Sequence, residues 1–199
     1  ACPLKGTVRH LKSVYFKNFV MTGMMVVISF FILGTSIVIL ARGFAFEQKR
    51  ESIALSANEV SKAASAFYEE TNDLNAWYMR LILSSLARST GNHIFITDLG
   101  GLVISSSDME IISPYIGRRV NERVMEELYQ KGSYRQMTNL EDIYNGRSFY
   151  VAALPVTGGA SNKPVAYVFV GSDFTEIVEA WSTTSVVFLA TALIVMILA

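Results

Sequence analysis

The sequence predicts an α+β chain in which a long N-terminal helix leads into a five-stranded antiparallel sheet, the whole held between two transmembrane helices. Three observations carry that expectation. Uncharged apolar blocks stand near both ends, a seven-residue apolar repeat follows the first block, and period-two alternation begins at His93.

Charged residues are 17% of the chain, against about 25% in an average soluble protein. The apolar excess is concentrated in Val20–Ala41 and Thr183–Ala199. The first block is 22 residues without a charge. A helix rising 1.5 Å per residue crosses the hydrocarbon core with about 20 such residues. A cleaved signal peptide is the competing reading. Its apolar region runs to about 15 residues and ends at a small-x-small site, whereas Arg42-Gly43-Phe44-Ala45 follows here. The second block has 17 uncharged residues after Trp181, an interfacial anchor, and competes with a buried core helix. The chain begins without methionine and stops inside this block, so a fragment is expected, with 181–199 a truncated second span.

Lys5, Arg9, Lys12 and Lys17 precede the first span with no acid among them, while the chain as a whole is neutral. Bases also follow that span, so the inside-positive bias is small. The expected order is a cytoplasmic basic tail (1–19), a first span (20–41), an extracytoplasmic domain (42–180, helical over 42–90 and sheet over 91–172) and the second span. This places the protein in the cell membrane as a two-pass protein contacting lipid. With no net basic excess, nucleic acid is not an expected partner. One cysteine, Cys2, rules out a disulfide framework.

No glycine separates Phe44 from Arg88, and no proline. Within this stretch Phe46, Ile53, Val60, Phe67, Leu74 and Leu81 recur every seven residues, with Ala57, Ala64 and Tyr78 four residues after three of them. Seven residues are two helical turns, so these share one stripe, with Lys49, Arg50, Glu59, Lys62 and Glu69 opposite. The stripe either packs on the chain's own sheet or forms the seam of a homodimer. Thr71-Asn72-Asp73 is a break, where Asn72 or Asp73 is expected to cap a second helix through Arg88.

In HIFITD, Ile94 and Ile96 alternate with Phe95 and Thr97; Leu99-Gly100-Gly101 turns the chain, and LVISSS starts a second strand. A helix is expected from near Asn121 to Gly132, with Val124 and Leu128 on one face. Strands then follow at Tyr134–Leu140 and Arg147–Val156 around Asn145-Gly146, a tight-turn dipeptide. The last strand, Val165–Gly171, has Val165, Tyr167 and Phe169 on one face and Ala166, Val168 and Val170 on the other. Asp173 is expected to cap a helix running into the second span.

The order of these pieces resembles a known family. TDLGGLVISSSD looks like the opening hairpin of extracytoplasmic PAS-like, or Cache, sensor domains; YIGRRV, the helix ending at Lys131-Gly132, and VFVGSDFTEI before a membrane helix are similar to it too. The resemblance spans the chain from one apolar block to the other and is greatest to the input halves of Gram-positive membrane sensor histidine kinases. It implies a PAS-like fold and the input half of a transmembrane receptor whose catalytic part lies elsewhere. A chemoreceptor, a membrane cyclase and a two-span binding or scaffold protein are the alternatives. It also implies a ligand held between the sheet and a covering segment, Ser105–Arg119.

The residues present show no catalytic constellation. His10 lies in the basic tail, and neither it nor His93 has the acidic residue that follows a phosphoacceptor histidine. His93 begins a strand with Asp98 five residues on and is read as structural. There is no paired Cys/His metal spacing and no phosphate-cradling glycine loop. No metal and no cofactor are expected; carboxylate pairs such as Asp108 with Glu110, or Glu141 with Asp142, are too few to make a divalent site alone. For a small-molecule or envelope ligand the candidates are Tyr115, Arg118, Arg119, Arg135, Arg147 and Tyr150, cations and phenols able to hold a small anion. Arg118 and Arg119 have a plainer reading as exposed partners of Glu122 and Glu126.

Overall fold

No proline lies between residues 5 and 71, and Gly6, Gly23, Gly34 and Gly43 do not interrupt helix formation there. In the computed structural model a single helix, α1, runs from Lys5 to Thr71. The structure describes residues 5–108, 113–140, 143, 144, 147, 149–158, 163–174, 187, 190 and 191, with side chains from residue 15. The chain divides into two units, residues 1–45 with 177–199 and residues 46–176.

In the first unit α1 is strongly apolar. One 18-residue window has a mean hydropathy of 2.6 with no buried residue, and among the described residues this is the one helix long and apolar enough to cross a membrane. Two of its polar side chains bond back to the helix. Ser29 donates to the Met25 carbonyl at 2.9 Å and Thr35 to that of Phe31 at 2.8 Å, the i-to-i−4 back-bond of helical Ser and Thr. Thr191 makes the same kind of bond to the Val187 carbonyl. The rest of the second apolar block, and the helix expected after Asp173, lie outside the described residues.

The second unit opens with the end of α1. The chain leaves that helix at Asn72, whose φ of 53° is left-handed and whose N–H bonds back to the Tyr68 carbonyl at 2.8 Å. Asp73 accepts from the Asn75 N–H at 2.8 Å, closing a turn. Helix α2 follows, Trp77–Thr90, with Ala76 at its N-cap and no side-chain cap. The expectation that Asn72 or Asp73 caps this helix is therefore corrected. Both residues are used in terminating α1 and shaping the turn.

Strands β1 (His93–Thr97) and β2 (Val103–Ser106) form the expected hairpin. Asp98 holds its turn, accepting from the Leu102 N–H at 2.8 Å, and Gly101 takes a φ of 81°. Helix α3 spans Glu122–Lys131; Asn121 caps it by accepting from the Arg123 N–H at 2.9 Å. Strands β3 (Tyr134–Thr138), β4 (Phe149–Gly158) and β5 (Lys163–Asp173) complete one antiparallel sheet, ordered β2-β1-β5-β4-β3. β3 ends at Thr138 rather than Leu140, and β4 starts at Phe149 rather than Arg147. The reason is burial: Leu140, Ile143 and Tyr144 leave the ladder and fold into the core. Asn145-Gly146 lies outside the described residues.

Period-two alternation gives the sheet two buried faces. On one, Phe95, Val151, Ala153, Tyr167 and Phe169 pack with Val124 and Leu128 of α3 and with Leu140, Ile143 and Tyr144. The even-numbered residues Ile94, Val168, Val170 and Ala152 face the other way and are also buried, toward α1 and α2. Here the seven-residue stripe finds its place. Ile53, Val60 and Leu74 are buried within the chain itself, with Ala57 and Ala64 between them; Phe46 and Phe67 are half-buried, and Leu81 is exposed. A stripe that faces a sheet is indistinguishable in sequence from one that faces a second helix.

Candidate functional site

The inward face of the sheet ends in a polar and aromatic cluster built around His93. As the first residue of β1, His93 shares the face of Phe95 and stands opposite Gly171 of β5, which in turn pairs with Val151 of β4. Over this row lies Tyr144, delivered by the β3–β4 connection. Its ring stacks on Phe149 at 3.9 Å between centroids and meets the His93 ring edge-on at 5.7 Å. Its hydroxyl lies 3.4 Å from His93 Nδ1, a long hydrogen bond. Tyr115 covers the other side of the imidazole, 4.3 Å between ring centroids.

The segment after β2 is tied down beside this cluster. Ser107 and Ile94 exchange hydrogen bonds, from the Ser107 N–H to the Ile94 carbonyl at 2.8 Å and from the Ile94 N–H to Ser107 Oγ at 3.1 Å. Arg80 of α2 donates through Nη2 to the Asp108 carbonyl at 3.0 Å, and the Asp108 N–H donates to Ser106 Oγ at 3.3 Å. The Tyr115 N–H reaches Ser113 Oγ at 3.4 Å.

Burial sets the protonation of the cluster. It pulls the His93 pKa from 6.5 down to about 4, with the nearby Asp108 carboxylate opposing the shift. Burial also raises the Tyr144 phenol far above its ordinary range. The protonated phenol and the neutral imidazole share this bond at Nδ1, which leaves Nε2 as the ring's other polar atom. That nitrogen is buried and has no hydrogen-bond partner among the described residues. A buried polar atom left unpaired in this way costs about 1–3 kcal/mol, so the site holds a hydrogen-bonding group in reserve.

A stability consequence follows. Because the folded pKa lies below the unfolded one, the unfolded chain binds a proton more readily between pH 6.5 and 4. The contribution of neutral His93 is fully present above that window and is lost as pH falls through it, on the order of 3 kcal/mol in all. Unfolding of the full chain in detergent should thus show a stability slope from pH 7 to 4 that flattens in His93→Gln. An identical slope in the variant would contradict the assignment.

Of the six candidates expected from sequence, the structure brings only Tyr115 to this cluster. Arg118 is half-buried, and its backbone pairs with β2 through the Val103 N–H at 2.9 Å. Arg119 is exposed and borders a surface recess of about 640 Å³ together with Glu122 and Glu126. Arg147 is exposed, and Arg135 is exposed on β3 on the face opposite Tyr134. Tyr150 is buried on the helix-covered face, 5.8 Å from the Phe174 ring and under the Arg50 guanidinium at 5.4 Å. The residues passed over are His93, Tyr144, Phe149 and Gly171. His93 had a signal, since it precedes Phe95 by two and must share its face. Tyr144 had none, because no periodicity governs a loop.

Among the described residues no group of three or more His, Cys, Asp or Glu side chains converges as a metal site would require. The five-strand antiparallel order with helices packed on the sheet defines the class: this is a PAS-like fold. No family model and no curated protein sequence matches the chain. Among solved structures it is similar to the sensor domain of the V. cholerae histidine kinase DctB, at 16% identity and a TM-score of 0.51, covering 71% of this chain and 54% of that one. It is also similar to the E. coli DcuS sensor domain (11% identity, TM-score 0.48, 66% of this chain and 96% of that one). The periplasmic sensory domain of the Campylobacter jejuni chemoreceptor Tlp1 is similar at 16% identity (TM-score 0.47, 69% of this chain and 58% of that one).

Proposed function

We propose that the chain is the input half of a two-pass transmembrane receptor with a Cache-type extracytoplasmic domain, acting as a homodimer on a histidine kinase output. In this reading residues 1–19 are cytoplasmic, 20–41 and 181–199 span the membrane, and 42–180 sense on the far side. The observation that carries it is the contact between the start and end of the domain. Phe174, directly after β5, stacks on Phe46 of α1 at 5.1 Å between centroids and 28° between planes. The segment that leads toward the second apolar block thus leaves the sheet beside the helix that continues from the first.

Ligand binding is assigned to the His93 face. Gly171 lies beneath Tyr144 and only three residues before Phe174, so a ligand that repositions Tyr144 acts on the strand that exits the domain. Such a ligand shifts the receptor only through its differential affinity for the two arrangements. It would meet phenols and a neutral imidazole rather than the arginines. For the homodimer, Ile53, Val60 and Leu74 are buried within the single chain, while Trp77, Tyr78 and Leu81 form an exposed apolar surface on α2.

Topology is the test. Cys2 is the sole cysteine, and Tyr129 is 79% exposed. In intact cells a membrane-impermeant maleimide should label Tyr129→Cys in a Cys2→Ser background. The native Cys2 should be labelled only after lysis. Labelling of Cys2 in intact cells, or none at position 129, would overturn the two-pass reading.

A further inference from the structure

The edge of β4 is paired along only part of its length. β3 pairs with it from Phe149 to Ala153, while β4 continues alongside β5 to Gly158. From Leu154 onward no strand among the described residues receives the backbone groups on the outer side of β4. Such groups are costly if buried and invite foreign strands if exposed.

Helix α1 fills this gap with two serines. Ser61 Oγ donates to the Pro155 carbonyl at 2.7 Å, and the Thr157 N–H donates to Ser65 Oγ at 3.0 Å. The spacing matches: four helical residues advance about 6.0 Å and two strand residues about 6.7 Å. Successive serines one turn apart therefore meet successive outward-facing positions on the strand. Pro155 suits its place, since it has no N–H to leave unpaired on that edge. The small side chains of Ala57 and Ala64, both fully buried, allow close approach. Beyond the serines, the Tyr68 ring lies on Gly158 so closely that a β-carbon there would overlap it.

We propose that Ser61 and Ser65 are a latch that joins α1 to the β4–β5 ribbon, so that the helix and the ribbon move as one body. Slippage along the strand is blocked by the unequal side chains of the stripe. A one-turn shift would bring Tyr68 onto the position of Ala64, or Ile53 onto that of Ala57. Displacement of β5 at Gly171 is then not absorbed between helix and sheet but is delivered at Phe46 and Phe174. The inference goes beyond the receptor reading and does not depend on which side of a membrane the domain occupies.

Hydrogen exchange on the full chain in lipid nanodiscs tests it. In the wild type the Thr157 amide and the α1 amides of residues 56–66 should be protected to within about threefold and respond alike to denaturant, as a single opening unit does. In Ser61→Ala/Ser65→Ala, Thr157 should exchange at least tenfold faster while the α1 amides keep their rates. Ser65→Thr, which retains the hydroxyl, should restore protection. A wild type in which Thr157 and α1 already differ more than tenfold would overturn the proposal, as would a Thr157 rate unchanged in the alanine variant. If the double variant does not fold, Ser65→Ala alone against Ser65→Thr gives the same two outcomes.

Discussion

Replacing Gly171 with alanine is expected to expel the Tyr144 hydroxyl from its seat and to return His93 toward the titration of an exposed histidine. A β-carbon on Gly171 would overlap that hydroxyl and stand 3.1 Å from the ring carbon bearing it. The ring cannot retreat, because Phe149 stacks on it at 3.9 Å, and β5 is held between β1 and β4. Overpacking of this kind costs about 1–3 kcal/mol, and the least costly relief is movement of the β3–β4 connection. That movement admits water to His93 and removes the burial that lowers its pKa to about 4. An NMR titration of the imidazole, with His10 as the other histidine resonance, should show the pKa rise by one unit or more. A titration that stays near pH 4 in Gly171→Ala would mean that Tyr144 is not the cover of the site.

Phe169→Ala is expected to cost about 3–5 kcal/mol, a large fraction of the roughly 5–15 kcal/mol that ordinarily holds a domain folded. Phe169 sits on the central strand β5, is fully buried, and stacks on Phe95 of β1 at 4.9 Å with the planes 3° apart. Removing it leaves a void between rigid strands that cannot collapse, and Phe95 loses its stacking partner as well. Denaturant unfolding of the full chain checks the size of the effect. Phe95→Ala together with Phe169→Ala should cost less than the sum of the single changes, because the two rings share one contact. A loss below about 1 kcal/mol for Phe169→Ala would show that this face is not the core.

The α+β class and the element order were legible from residues. Alternation across His93–Thr97 and Val165–Gly171 named both faces of two strands correctly, because a strand must point successive side chains to opposite sides. Asn121 and Gly132 marked the ends of α3 because each meets a local requirement: an oxygen for the first free N–H, and a left-handed φ of 69° at the last turn. Local signals failed where the competing use of a residue was not local. Asn72 and Asp73 can cap a helix, yet they end one instead. Tyr134–Leu140 could have run as a strand to its end, but Leu140 is drawn into the core.

The candidate site was less legible than the fold. Arg119, Arg135 and Arg147 have the chemistry of an anion site, but nothing in sequence says that all three are exposed and outside the His93 cluster. His93 was discounted as a strand-entering histidine, although its parity with Phe95 already put it on the inward face. What made it notable was the arrival of Tyr115 and Tyr144, 22 and 51 positions later in the chain. On its own the sequence determined where the chain is apolar without interruption, where it alternates and where it turns, since hydration, pleat and backbone sterics act on neighbouring residues. Only the tertiary structure decided that Ile53 and Val60 of the seven-residue stripe are buried within the chain, that two serines close the open edge of β4, and that a histidine is kept neutral under a tyrosine. Those outcomes depend on which distant groups exclude water from one another, and that exclusion exists only once the sheet has assembled.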